Sequence, residues 1–235
     1  MELKIGCSGW MYPFWKETFY PKSLPQKEWF SFYKSHFDTV EINSSFYHFP
    51  TFQSIEKWYQ QVPQGFTYSL KAHRSITHLE KFENTDDLLS KMYQLADALK
   101  EKLDVILFQL PPHFAYDSDK LELILKSLNK NYLNVIEFRH PSWWNPTVFK
   151  SCIDNQVIFC SVSGPRLPND VISCNGNVYV RFHERVFEDC YNEEELEGWA
   201  LKIQQTNAKK IWVYFNNSLK GYAPANALTL KRYLS

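Results

Sequence analysis

The stretch from Asp104 to Arg139 carries the pattern that decides the fold. It begins with the apolar run DVILFQL at Asp104–Leu110, continues through the amphipathic segment SDKLELILKSLN at Ser118–Asn129, and ends in the run NVIEFR at Asn134–Arg139. Two short apolar runs separated by a segment of helical periodicity predict a strand, a helix and a second strand. Strands joined by such a crossover lie parallel in one sheet.

The same alternation extends in both directions along the chain. The other predicted strands are Leu3–Ser8, Thr39–Asn43, Phe66–His73, Val157–Val162, Val178–His183 and Ile211–Asn216. The other predicted helices are Gln26–Phe37, Ser54–Gln61, Asp86–Lys100, Asn145–Asp154, Glu193–Gln205 and Pro224–Tyr233. The Gly-, Pro- and Asn-rich segment Ser163–Asn177 predicts a loop instead of a helix. The alternation predicts an α/β protein with one domain over residues 1–235, a (β/α)8 TIM barrel with its site at the C-terminal strand ends.

Composition narrows the class of protein. The 235 residues contain 26 Lys and Arg and 26 Asp and Glu, so an anionic partner would need a local basic patch. The N-terminus lacks a secretory signal, and no apolar run approaches the roughly 18 residues of a membrane span. The five cysteines include no Cys-x-x-Cys spacing, which argues against a disulfide framework or a zinc cluster. We therefore expect a cytoplasmic protein that does not bind membranes.

Strand parity places an unusual set of polar residues inside the predicted barrel, where branched apolar side chains are the norm. This inward set is Gly6, Ser8, Glu41, Asn43, Ser69, Lys71, His73, Gln109, Glu137, Arg139, Ser161, Tyr179, Arg181, His183, Tyr214 and Asn216. Its members crowd toward the C-terminal half of each strand, the end at which barrel enzymes build their active sites. Buried polar groups are costly unless they pair or bind something. One interpretation is that the charged members only neutralise one another, and the other is that they form a functional site.

The residue types suggest roles. Lys71, Arg74, Arg139 and Arg181 could form an anion pocket, because Arg offers forked donors that suit phosphate and carboxylate. The predicted catalytic residues, as orienting carboxylates, general base or proton carriers, are Glu41, Glu137, His73 and His183. The predicted substrate-binding residues are Ser8, Trp10, Asn43, Tyr47, Lys71, Arg74, Gln109, Arg139, Trp143, Arg181 and Asn216.

Two alternatives concern the same region. Glu41, Glu137, His73 and His183 could instead ligate a divalent metal, although the neighbouring cations would oppose it and no metal or other cofactor is assigned. The loop aromatics could form a stacking wall for a base or sugar, or could pack as core over the barrel end. These aromatics are Trp10, Tyr12, Trp15, Tyr47, Trp143 and Trp144.

Ordered motifs along nearly the whole chain resemble those of the DUF72 (YecE-like) family. They are GCSGWMY at Gly6–Tyr12, FYP at Phe19–Pro21, FDTVEINSSFY at Phe37–Tyr47 with Pro50, KAHR at Lys71–Arg74 with Thr77 and His78, FQLPPHF at Phe108–Phe114, IEFRHPSW at Ile136–Trp143, YVRFH at Tyr179–His183, and YFNN at Tyr214–Asn217 with Asn226 and Ala227. The resemblance implies a TIM barrel related to xylose-isomerase-like and endonuclease-IV-like barrels, without a settled activity. Glu184 and Ser218 depart from the family pattern, which usually has Gly and Asp there.

Three functions are compatible with the sequence. The first is an enzyme, a hydrolase or a lyase, whose substrate is a small or polymeric anion that contains phosphate or carboxylate. The second is a nucleic-acid-binding or repair-type protein, which the implied relatives and the loop aromatics suggest. The third is a barrel that binds a ligand without turnover. The oligomeric state is not predicted.

Overall fold

The computed structural model describes residues 1–183, 190–217 and 219–235, so Glu184 and Ser218 lie outside the described residues. The strands are β1 (Glu2–Cys7), β2 (Thr39–Ile42), β3 (Thr67–Lys71), β4 (Leu103–Gln109), β5 (Asn134–Glu137), β6 (Ile158–Ser163), β7 (Asn177–Phe182) and β8 (Lys210–Phe215). They follow the order β1-β8-β7-β6-β5-β4-β3-β2 in one sheet. A parallel bridge between Ser8 and Glu41 links the ends of that order. With helices between most consecutive strands, this is the predicted (β/α)8 barrel.

The helices occupy most of the segments that the sequence predicts. They are α1 (Trp29–Lys34), α2 (Ser44–Tyr47), α3 (Phe52–Gln61), α4 (Asp86–Asp97), α5 (Ser118–Ser127), α6 (Pro146–Asp154), α7 (Glu193–Gln205) and α8 (Tyr222–Leu234). Side-chain caps fix several starts, because the first backbone N–H groups of a helix lack partners inside it. Asn192 and Glu195 form a reciprocal capping box at α7, and Asp117 accepts from the first turn of α5. No described helix is long and apolar enough to cross a membrane.

Two short elements are absent from the sequence prediction, and both stand beside the candidate site. They are helix α2 and the π-helical turn Ser75–Leu79. Their lengths, four and five residues, are too short for a periodicity to emerge. The loop predicted over Ser163–Asn177 is confirmed, because the connection from β6 to β7 contains no helix. Strands β2, β3 and β5 end one or two residues early, which leaves Asn43, His73 and Arg139 beyond the last ladder position.

The chain divides into two compact units. The first, called unit 1 below, consists of Met1–Glu41 and Ser161–Ser235. In it β8 pairs with β1 and β7 on its two sides, in continuous parallel register from Lys210 to Phe215. Gly6 is required on β1, since a Cβ there would meet the carbonyl oxygen of Thr39 at 2.5 Å. This close approach lets the end of β1 reach Glu41.

The second unit, unit 2, consists of Ile42–Cys160. Its strands β3, β4, β5 and the first part of β6 pair in sequence and in parallel. The apolar side chains of β4, from Val105 to Phe108, are fully buried, as a strand covered on both faces requires. Gln109 and Glu137 are register partners at the C-terminal ends of β4 and β5. That residues 1–235 act as a single domain stays a prediction.

Candidate functional site

Glu41 is the centre of a buried polar cluster in unit 1. Its Oε1 accepts hydrogen bonds from Ser8 Oγ at 2.6 Å and from Arg181 Nη2 at 2.7 Å, and its Oε2 accepts from the Tyr179 hydroxyl at 2.7 Å. None of these four side chains has any exposed surface. An ion pair taken out of water offsets its desolvation only when further hydrogen bonds satisfy it. Ser8 and Tyr179 supply these bonds for Glu41.

The strands explain why these groups meet. Tyr179 and Arg181 are two residues apart on β7, so they point to the same face. Ser8 follows β1 directly and is the bridge partner of Glu41 on β2. Burial, and then the charge of Glu41, raises the pKa of Tyr179 well above its ordinary value. Tyr179 therefore remains a neutral donor at physiological pH.

His183 and Asn216 form a second pair in unit 1, directly after β7 and β8. The Asn216 amide Nδ2 lies 3.3 Å from His183 Nδ1. An amide N–H can only donate, so this nitrogen of His183 is the acceptor and a neutral ring carries its proton on Nε2. The His183 backbone is held on both sides, by the Ser163 carbonyl at 2.9 Å and by the Tyr191 hydroxyl at 2.9 Å. His183 is 5% exposed.

The C-terminal strand ends of unit 2 carry a different set of charges. Lys71 ends β3, and its Nζ donates to Gln109 Oε1 at 2.8 Å. Gln109 ends β4 beside Glu137, whose buried Oε1 accepts from Arg139 Nη1 at 3.0 Å. The Arg139 side chain is 24% exposed, whereas that of Glu137 is not exposed at all. The bonded pairs Lys71–Gln109 and Glu137–Arg139 thus stand side by side at the ends of three consecutive strands.

His78 reports the electrostatic character of this cluster. Burial, followed by the charges of Lys71, Arg74 and His113, lowers its pKa to about 4, and the charge of Glu137 opposes this lowering as the smallest of these effects. Its ring is held by contacts with the Thr77 hydroxyl at 2.9 Å and the Phe46 ring at 4.9 Å. The surroundings of His78 are therefore net positive. We name Lys71, Arg74 and Arg139 the cationic cluster, and His78 is the neutral ring beside it.

His73, by contrast, joins two loops through hydrogen bonds of both its ring nitrogens. The Ser75 backbone N–H donates to its Nδ1 at 3.2 Å, so its Nε2 carries the proton and donates to the Tyr47 carbonyl at 3.2 Å. The ring of Phe49 stacks on it with centroids 4.3 Å apart. Burial is the main cause of a lowered pKa. With both nitrogens engaged, His73 fixes the loop after β2 to the loop after β3.

The loop aromatics separate by burial. Trp143 and Trp15 are completely buried. Trp143 stacks on Phe138 at 4.1 Å and donates from Nε1 to the Phe114 carbonyl at 2.6 Å. Trp10 stacks on Phe30 at 4.4 Å. Tyr47 is 60% exposed. Trp143 and Trp15 are therefore core residues, whereas Trp10, Tyr12 and Trp144 are half-buried. Of the six predicted loop aromatics, Tyr47 is the exposed one.

The structure brings the predicted residues together within each unit. In unit 1, Ser8, Glu41 and Arg181 form one group and His183 and Asn216 another. In unit 2, Lys71 bonds to Gln109 and Arg139 to Glu137 on neighbouring strand ends, and His73 bonds to the Tyr47 carbonyl. Asn43 precedes α2, where its carbonyl accepts from Phe46 N at 3.1 Å. Trp10 stacks on Phe30 and Trp143 on Phe138, and their role in substrate binding stays a prediction.

Sequence reasoning missed His78, His113, Phe46 and, as a ligand of Glu41, Tyr179. Tyr179 has the inward parity, but its side chain is uncharged, so the sequence did not mark it as a partner of Glu41. His78 and His113 lie within the quoted motif stretches, yet a turn and a loop have no parity from which to read a direction. Within the described ranges, no group of three or more His, Cys, Asp or Glu side chains could hold a metal ion. The metal alternative has no ligand set there.

Comparisons with known proteins agree with this architecture. The sequence matches the family model described as "Protein of unknown function DUF72" over residues 4–235. UPF0759 protein YunF of Bacillus subtilis is 28% identical over 94% of this chain and 91% of that protein. UPF0759 protein YecE of Escherichia coli is 26% identical, over 60% of this chain and 49% of that protein.

A solved structure supports the fold over the whole chain. The crystal structure of a DUF72 family protein from Thermotoga maritima matches with a TM-score of 0.90 and 25% identity, covering 100% of this chain and 99% of that one. The motifs from Gly6 to Ala227 thus stand in a sequence that matches the family model almost end to end. The chain belongs to the DUF72 family, as the motif resemblance implies.

Proposed function

We propose that this protein is an enzyme that binds an anionic substrate, containing phosphate or carboxylate, at the cationic cluster of unit 2. The reaction class that suits such a substrate is hydrolysis or lyase chemistry. The observation that carries the proposal is the composition of the cluster. Lys71, Arg74 and Arg139 stand at or just after the ends of β3 and β5, with one buried carboxylate, Glu137, in contact with Arg139. At His78 the charges of Lys71 and Arg74 outweigh that of Glu137.

The cations differ in how they could meet a ligand. Arg74 is exposed and directly follows His73. Arg139 is partly exposed, and its contact with Glu137 fixes the guanidinium without covering it. Lys71 is 8% exposed and is directed by Gln109. Together they offer forked and point-charge donors, which recognise planar and tetrahedral oxyanions.

His78 is suited to respond to a bound anion. It is neutral at physiological pH, because its pKa is about 4. A phosphate placed beside Lys71 and Arg74 would add negative charge next to the ring and raise its proton affinity. A neutral imidazole that gains basicity when substrate arrives can accept a proton from a water molecule or from the substrate. Glu137 orients Arg139 in this scheme.

The Glu41–Arg181 pair takes a supporting role in this proposal. Neither side chain is exposed, and every described bond of the Glu41 carboxylate is internal to unit 1. A buried, paired guanidinium is an unfavourable ligand for a substrate that approaches from solvent, since the pair would have to open. We assign the pair to holding β1, β2 and β7 together. The pair thus organises the strand ends.

Binding of inorganic phosphate, measured by titration calorimetry at low ionic strength, tests the anion site first. We expect Arg74→Ala and Arg139→Ala to weaken it by about 10- to 100-fold, the range for losing a charge-assisted hydrogen bond. Lys57→Ala, which removes an exposed Lys from α3 in the same unit, is the matched control and should bind as the wild type does. Circular dichroism verifies that each variant is folded.

Turnover tests the enzymatic part. Wild type and Glu137→Gln are incubated with a panel of phosphate esters and carboxylates, and products are followed by mass spectrometry. Conversion by wild type that is lost in folded Glu137→Gln and Arg139→Ala supports the enzyme. Phosphate binding that is identical in all variants removes the site. Binding without any conversion across the panel supports the ligand-binding barrel instead.

A further inference from the structure

Helix α2 carries two neighbouring aromatic residues, Phe46, whose ring contacts other side chains, and Tyr47, whose ring is exposed. The Phe46 ring lies under the Lys71 ammonium, with 4.4 Å from Nζ to the ring centroid, and meets His78 edge to face. The Tyr47 ring is 5.1 Å from that of Phe46 and perpendicular to it, at 89°. Tyr47 is 60% exposed. An open aromatic face therefore stands one ring away from a cation of the cationic cluster.

The backbone beneath this open ring is fixed. The Tyr47 carbonyl accepts from His73 Nε2 at 3.2 Å, and the next backbone N–H, that of His48, donates to the Ser44 carbonyl at 3.1 Å. His73 is in turn held by Ser75 and by the stacked ring of Phe49. The fixed backbone and the contact with the Phe46 ring both reduce the conformational freedom that Tyr47 would lose when a ligand stacks on it. The Tyr47 ring is thus preorganised to stack on a planar ligand group.

The neighbouring rings are already engaged. Phe46 carries Lys71, and Phe49 is in contact with both the His73 ring and the Lys91 ammonium, the latter at 4.6 Å. Stacking along a single-stranded nucleic acid uses successive aromatic platforms. Tyr47 instead stands one ring away from a cation, and the similarly exposed Phe52 lies on the neighbouring helix α3. The chain also has no net charge with which to attract a polyanion.

We propose that the ligand of the cationic cluster is a nucleotide, with its phosphate on Lys71 and Arg74 and its base stacked on Tyr47. This inference rests on the proposed anion site and adds the chemical class of the ligand. Both parts of a nucleotide find a match: the phosphate meets cations, and the planar base meets the open ring. A sugar phosphate would use the cations alone.

The experiment compares ligands that share a phosphate and differ in the base. Adenosine 5′-monophosphate, ribose 5-phosphate and inorganic phosphate are titrated into wild type, Tyr47→Ala and Tyr47→Trp. We expect the nucleotide to bind about 10-fold more tightly than ribose 5-phosphate, since one base–aromatic stack typically contributes about that much. Tyr47→Ala should abolish that difference, and Tyr47→Trp should preserve it. Phe52→Ala is the control, because Phe52 is equally exposed, at 59%, on the neighbouring helix α3.

The outcomes separate the inference from the proposed function. If ribose 5-phosphate and the nucleotide bind equally well and Arg74→Ala weakens both, the anion site stands and the nucleotide is wrong. If no phosphate compound binds, the anion site itself fails. A thymidine oligonucleotide that binds far more tightly than the monophosphate, with no loss in Tyr47→Ala, would overturn the nucleotide in favour of a strand. Loss of base preference in Phe52→Ala as well as Tyr47→Ala would also overturn the assignment to Tyr47.

Discussion

Arg181 Nη2 lies 2.7 Å from Glu41 Oε1, and neither side chain has any exposed surface. A buried pair of this kind differs from a surface ion pair in what happens when one partner is removed. The remaining charge cannot regain its hydration without opening the core. This asymmetry makes the pair a sensitive test of the interior of unit 1.

We predict that Glu41→Gln lowers the free energy of unfolding by about 3–5 kcal/mol, because it leaves the buried Arg181 charge without its counter-charge. Urea denaturation at neutral pH measures the loss. Asp154→Asn is the matched control, since it breaks the exposed pair with Lys150, and it should cost less than about 1 kcal/mol. A Glu41→Gln variant as stable as this control would show that Arg181 is hydrated and accessible, which would return it to the list of ligand-binding groups.

The interior position of Glu41 and Arg181 could be predicted from sequence because strand side chains alternate with a period of two. Their mutual contact could not, since β2 and β7 are not neighbours in the strand order and the contact depends on how the sheet brings the two strands together. Local parity contains no such information. The predicted barrel follows from the same local periodicities together with the resemblance to the family, and it is confirmed.

Periodicity does not predict which side chains are buried in the loops. Trp143 and Tyr47 are both aromatic, both follow a strand, and both lie in motif-like segments. One is fully buried and the other is 60% exposed. Trp143 is covered by the rings of Phe138 and Phe114, whereas the contact of Tyr47 with His73 is made by its backbone carbonyl and leaves its ring exposed. The sequence does not state these partners, so it could only leave packing and stacking open as alternatives.

This difference in burial gives the second prediction. Trp143→Ala should lower the free energy of unfolding by about 3–5 kcal/mol, as expected for deletion of a large buried aromatic. Tyr47→Ala should change it by less than about 0.5 kcal/mol, as expected for an exposed side chain. Chemical denaturation of the two variants side by side provides the measurement, with Phe52→Ala as the exposed aromatic control. A large loss in Tyr47→Ala would mean that its ring is part of the core and not a ligand platform.

The third prediction concerns His78 and the dependence of stability on pH. Its pKa in the folded protein is about 4, whereas an unfolded chain titrates His near 6.5. Between these values the unfolded state binds more protons than the folded state, so the free energy of unfolding contributed by His78 rises with pH from about 4 to about 6.5 and is constant above. His78→Asn should remove this part of the slope. The comparison uses urea denaturation of both proteins at a series of pH values.

The fourth prediction uses the pKa of His78 to test which neighbouring cations lower it. Burial, the first cause of the low pKa, persists when Arg74 is replaced, but one of the neighbouring cations is lost. We therefore expect Arg74→Ala to raise the pKa of His78 partway toward its ordinary value, and saturating inorganic phosphate to raise it in the wild type. NMR titration of the imidazole signals measures both shifts. The Lys57→Ala protein should titrate as the wild type does. A His78 pKa that responds neither to Arg74→Ala nor to phosphate would place the anion away from this ring, and with it the site that we propose.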